Sequence, residues 1–97
     1  MKIDKNYSES LYAKAEASYT KCINNEDNAF LKAQINIPLS SIIIEKANIK
    51  IVFNKDSFMP STSETTLWLC DNKDIIGKYI YIEDMEGEAV DDSLIFY

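Results

Sequence analysis

The sequence contains no histidine and no arginine, and each absence removes a kind of chemistry. Without imidazole, the side chain that most often exchanges protons near neutral pH and ligates metals is missing. Without guanidinium there is no rigid fork for gripping phosphate or carboxylate, and all ten cationic side chains are lysines, which act as flexible point charges. Glycine is scarce as well. Gly77 and Gly87 are the only two, too few for a glycine-rich phosphate loop. With only Pro38 and Pro60 besides, there is little room for a long flexible linker, and no segment repeats at a fixed period. Cys22 and Cys70 are too few for a disulfide framework and read as small buried hydrophobes. The longest aliphatic run, Ile42-Ile43-Ile44, falls far short of the roughly 20 residues that a membrane-spanning helix needs. No apolar stretch of the kind found in export signals follows Met1, so a cytoplasmic location is expected.

What is present describes an ordinary globular chain. Its 97 residues suit one hydrophobic core, and apolar residues at 46% with charged residues at 27% give it the means to build one, so residues 1–97 are expected to form a single domain. The charge is unevenly placed. Residues 1–70 hold eight acids and eight lysines and sum to zero; residues 71–97 hold eight acids against Lys73 and Lys78 and account for the entire net charge of −6. Such a field repels nucleic acid and anionic membranes and favours a basic partner.

Hydrophobic periodicity points to strands. Residues 7–23 alternate with period two, although Leu11, Ala15, Tyr19 and Ile23 also fall at the four-residue spacing of a helix. Residues 29–39 alternate more cleanly, and the polar run 24–28 between them suits a turn, so the pair is expected to form a hairpin, with an N-terminal helix as the alternative. Ser40 or Ser41 suits the cap of a short helix over residues 42–47, against which the three consecutive isoleucines argue for a strand. A strand over 48–54, a loop over 55–64, and strands over 65–70, 75–82 and 93–97 complete the pattern, with a turn at 71–74. The runs around Leu67-Trp68-Leu69 and Ile75–Ile82 are apolar on both faces, as strands in the middle of a covered sheet are. Gly77 marks a bulge or a close backbone approach. The expected fold is mainly β, an antiparallel sandwich or small barrel of five to six strands with room for one short helix; α+β with an N-terminal helix is the alternative.

No catalytic constellation emerges. A serine or cysteine nucleophile would need a lysine or terminal amine as its base, and no local signature supplies one, so the chain is not expected to be an enzyme. Residues 71–74 begin like a calcium loop, but Lys73 takes a ligand position and Ile76 stands where a glycine is needed. No metal and no cofactor are expected. The most distinctive stretch is acidic: Glu83, Asp84, Glu86, Glu88, Asp91 and Asp92, with no base among them. Two readings apply to it. One is a solvated loop between strands. The other is a docking surface for a basic protein, a nuclease toxin or another nucleic-acid-handling partner, with Tyr79 and Tyr81 as aromatic anchors, although both tyrosines also suit core packing. Trp68, between two leucines, reads as core. The leading expectation is therefore a small acidic inhibitor of a basic protein, contacting neither nucleic acid nor membrane. A structural or oligomeric module pairing through exposed strands, above all residues 93–97, is the alternative. A small-ligand site in a barrel mouth is a third.

Overall fold

A computed structural model describes residues 4–25, 37–55 and 59–97. Its first element corrects the expected N-terminal strand. Residues Lys5–Asn24 form one α-helix, α1. Asp4 caps it, its carboxylate accepting the Tyr7 backbone N–H at 2.8 Å, and Lys21 in the last turn suits the negative end of the helix dipole. Leu11, Ala15 and Tyr19, one turn apart, are the buried residues of the helix. The four-residue spacing therefore prevailed over the period-two pattern, because both patterns place the same large residues on one side and the alanines favour the helix. The partner strand of the expected hairpin, residues 29–39, lies mostly outside the described residues.

The short helix expected over residues 42–47 is also corrected. A single 3-10 turn, Leu39–Ser41, leads directly into strand β1, Ile43–Phe53, so the β-branched isoleucines follow their strand preference. Three more strands follow: β2, Pro60–Asp71; β3, Asp74–Asp84; and β4, Ala89–Phe96. They pair in sequence order, β1-β2-β3-β4, every pair antiparallel. The fold is thus mainly β, with one N-terminal helix on a four-stranded open sheet; among the described residues there are four strands rather than five or six, and the sheet does not close into a barrel.

The turn expected at 71–74 is present as Asn72-Lys73, with Asn72 in the left-handed region at φ 57°, which asparagine tolerates well. Gly77 serves a close approach: a Cβ there would collide with the Ile95 carbonyl oxygen across the β3–β4 pair. The register shift lies beside it, at Ile76.

The core forms where α1 meets one face of the sheet. Ala15 and Tyr19 pack with Leu67 and Leu69 of β2 and Tyr79 and Tyr81 of β3. The small side chain of Ala15 lets the helix approach the strands, and the Tyr19 and Tyr79 rings meet edge to face at 5.6 Å between centroids. Each fully buried leucine contributes about 1.5–3 kcal/mol relative to exposure. Cys22 and Cys70 form no disulfide, and burial, chiefly, pushes both thiols up in pKa. No helix among the described residues is long and apolar enough to cross a membrane.

Candidate functional site

The acidic segment is a tight hairpin between β3 and β4, and β4 begins inside it at Ala89. Asp84 holds the turn together. Its Oδ1 accepts the backbone N–H groups of Glu86 at 2.9 Å and Glu88 at 3.0 Å, while its own N–H donates to the Glu88 carbonyl at 2.9 Å. Gly87 supplies the left-handed residue the turn requires, at φ 89°. Glu86 and Glu88 are exposed on this braced backbone.

The eight residues singled out from the sequence divide into two groups. Asp84, half-buried, with exposed Glu86, Glu88, Asp91 and Asp92, forms the surface of the hairpin and the start of β4. Tyr79, Tyr81 and Glu83 do not reach that surface. Tyr79 is fully buried, Tyr81 is 6% exposed and Glu83 only 2%, all on the face that α1 covers. The aromatic anchors expected to flank the acidic surface are therefore core residues, because strand alternation turns them inward together with Glu83. Asp91 and Asp92 also diverge, Asp91 lying level with Ile82 and Asp92 level with Tyr81, so they face opposite sides of the sheet.

Beneath the helix, Glu83 belongs to a buried polar cluster. Its Oε2 accepts from the Tyr81 hydroxyl at 2.9 Å and lies 3.4 Å from Lys14 Nζ, which reaches over from α1. Burial first, then the hydrogen bond and charge of Glu83, pushes the Tyr81 hydroxyl up to about 12. On the same face, Ser63 is the cross-strand neighbour of Glu83, and Thr65 that of Tyr81. Among the described residues, the buried hydroxyls of Ser63 and Thr65 have no hydrogen-bond partner, nor has that of Tyr19. Toward β4, the Tyr79 hydroxyl donates to Asp92 Oδ2 at 2.8 Å and meets Ser18 Oγ at 2.5 Å. Burial is the main cause that raises the pKa of Tyr79, and Asp92 adds to it while Ser18 opposes it. These contacts join helix, β3 and β4 through side-chain oxygens, and they give Asp92 a structural role as well as an exposed one.

Two structural roles at the site had little or no signal in the sequence. Lys14 reads as one of many solvated lysines, and its ion pair spans 69 residues of sequence. Asp84 as a turn brace was foreshadowed by the glycine three residues later, a spacing suited to a turn in which a carboxylate accepts nearby N–H groups. Among the described residues no group of three metal-ligating side chains comes together.

Comparison with protein-family models, with curated proteins and with solved structures gave no match to the chain.

Proposed function

We propose that the protein works by binding another protein and performs no catalysis, and that the β3–β4 hairpin is its docking surface for a basic, nucleic-acid-handling partner such as a nuclease toxin or a defence complex. The observation that carries this reading is the Asp84 brace, which holds the exposed carboxylates of Glu86 and Glu88 on a fixed backbone instead of a loose loop. Preorganised charge speeds association and loses less conformational entropy on binding than mobile charge does. Asp91 adds to the surface from one side of the sheet and Asp92 from the other. Lys14 is engaged with buried Glu83 and its ammonium lies beside Gly87 of the hairpin, so it offsets part of the local charge, while Glu86, Glu88, Asp91 and Asp92 still leave an acidic excess there. Tyr79, Tyr81 and Glu83 support this surface from within and do not touch the partner.

The test uses the immobilised protein and extract from its native cell at low salt. A basic nucleic-acid-handling protein is expected to be retained by the wild type, released by added salt, and lost by the E86Q/E88Q/D91N variant at unchanged melting temperature. Retention of the same proteins by both forms sinks the proposal.

A second reading has one observation behind it. β4 is an edge strand, paired only with β3 among the described residues, so its outer side is suited to pairing with another strand. A proline at Ile95 is expected to block such pairing.

A further inference from the structure

α1 occupies one face of the sheet, and the described residues place neither a second helix nor a second sheet over the other. The strand register maps this second face in rows. Glu45, Trp68, Lys78 and Ile95 lie side by side across the four strands; next come Asn48, Thr66, Ile80 and Ser93; then Lys50, Glu64, Ile82 and Asp91. Trp68, Ile80 and Ile82 are half-buried here, and Ile95 is 41% exposed.

We propose that this face binds a second copy of the chain, two sheets stacking face to face about a twofold axis. Three observations support it. The first is the composition of the central strands: β2 and β3 turn Leu67, Leu69, Tyr79 and Tyr81 toward α1, yet they also carry Trp68, Ile80 and Ile82 on the far side, and strands with large apolar residues on both faces are those covered on both. The second is area. Four strands spaced about 4.8 Å apart, each about eight residues at about 3.3 Å, present a face of about 500 Å², so two copies bury about 1,000 Å², the lower bound for a specific interface. A reversible dimer is the matching expectation.

The third is charge. The first and third rows carry opposite charges on the same strand, Glu45 and Lys50 on β1. A twofold axis running across the strands along the middle row exchanges those two rows. Glu45 of one copy then faces Lys50 of the other, the exchange repeats by symmetry, and Ile80 meets Ile80 at the centre. That axis also reverses the strand direction, which sends the two acidic hairpins to opposite ends of the pair and keeps their like charges apart. The hairpin tips with Glu86 and Glu88 stay free and only Asp91 is shared with the covered face, so the dimer does not need the docking proposed above and leaves its tip open. The same axis sets Trp68 over Glu64, Ile82 over Lys78 and Ile95 over Asp91, so Lys78 of one copy comes between Glu64 and Asp91 of the other, and the apolar side chains pack against the stems of charged ones.

Sedimentation of the whole protein from about 10 µM to about 1 mM, with circular dichroism melts of every variant, tests the proposal. The wild type is expected to rise from monomer to dimer mass over this range. E45K and K50E singly are expected to weaken association about tenfold, and the E45K/K50E swap to restore most of it, because the swap rebuilds both pairs with reversed sign. I80K is expected to hold the chain monomeric. Both charged positions are exposed, so the charge variants keep the test valid even if I80K does not fold. A monomer throughout the range overturns the proposal. So does a dimer that a folded I80K leaves intact, or single-charge variants that weaken association while the double swap fails to rescue it.

Discussion

Lys14 on the helix and Glu83 on β3 are joined by an ion pair of 3.4 Å, in which the lysine side chain is 44% exposed and the carboxylate only 3%. That asymmetry determines what each is worth. The lysine keeps much of its hydration whether or not the pair forms, while the carboxylate has exchanged water for one cation and one hydroxyl. We expect Lys14→Ala to lower unfolding free energy by about 3–5 kcal/mol, since it leaves the buried Glu83 carboxylate without its cation, and Glu83→Ala by about 1–3 kcal/mol, since it removes the buried charge, lets Lys14 hydrate and strands only the Tyr81 hydroxyl. Urea denaturation of both variants measures this, and equal losses would contradict the assignment.

Ser63 and Thr65 are expected to behave in the opposite way. Their hydroxyls are buried and have no partner among the described residues, so each bears a desolvation cost that no hydrogen bond from those residues offsets. Thr65→Val, which keeps the shape, should leave stability unchanged or raise it by up to about 1 kcal/mol, and Ser63→Ala should cost little. A loss above about 2 kcal/mol in Thr65→Val would show that the hydroxyl has a partner after all.

Alkaline pH should unfold the protein through its tyrosines. Burial, first of all, raises the Tyr19 and Tyr81 pKa values to about 12 and also raises those of Tyr79 and Tyr12. In the unfolded chain these groups ionise near 10, so above that pH the unfolded state releases protons that the native state retains. Their contribution to stability is whole below pH about 10 and disappears as pH rises through about 12. Tyrosinate absorbance followed alongside circular dichroism should show the late tyrosines ionising together with loss of structure. Ionisation of all six near pH 10 in a still-folded protein would refute this.

Gly77→Ala tests the close approach of β3 to β4. The added methyl meets the Ile95 carbonyl oxygen, part of the backbone, which cannot move without parting the strands. A loss of about 2 kcal/mol or more is expected, with fastest-growing amide exchange in β4. A melting temperature equal to wild type would show that the pair relaxes freely.

The sequence made the middle of the sheet readable and left its borders obscure. The Asn72-Lys73 turn and the doubly apolar strands beside it could be placed because turn chemistry and periodicity agree there. At α1 they conflict: Leu11, Ala15 and Tyr19 satisfy a period of two and a period of 3.6 alike, so pattern alone cannot separate strand from helix. The inward turn of Tyr79, Tyr81 and Glu83 was open to inference, since alternate positions on a strand share a face. The side they share depends on where α1 packs, and that is tertiary information. For the same reason Trp68, read as core, lies half-buried on the face opposite α1.

Because every strand pairs with its neighbour in sequence, the sheet can assemble like a zipper whose teeth close outward from the two-residue bend at Asn72-Lys73. No distant segment must be found before β2 and β3 meet, and β1 and β4 can then add on either side. The helix alone depends on partners far along the chain, so it docks late and should be the first element to leave. Native-state amide exchange that is slowest in β2 and β3 and fastest in α1 is the expected trace of that order, and the reverse would place the nucleus at the helix instead.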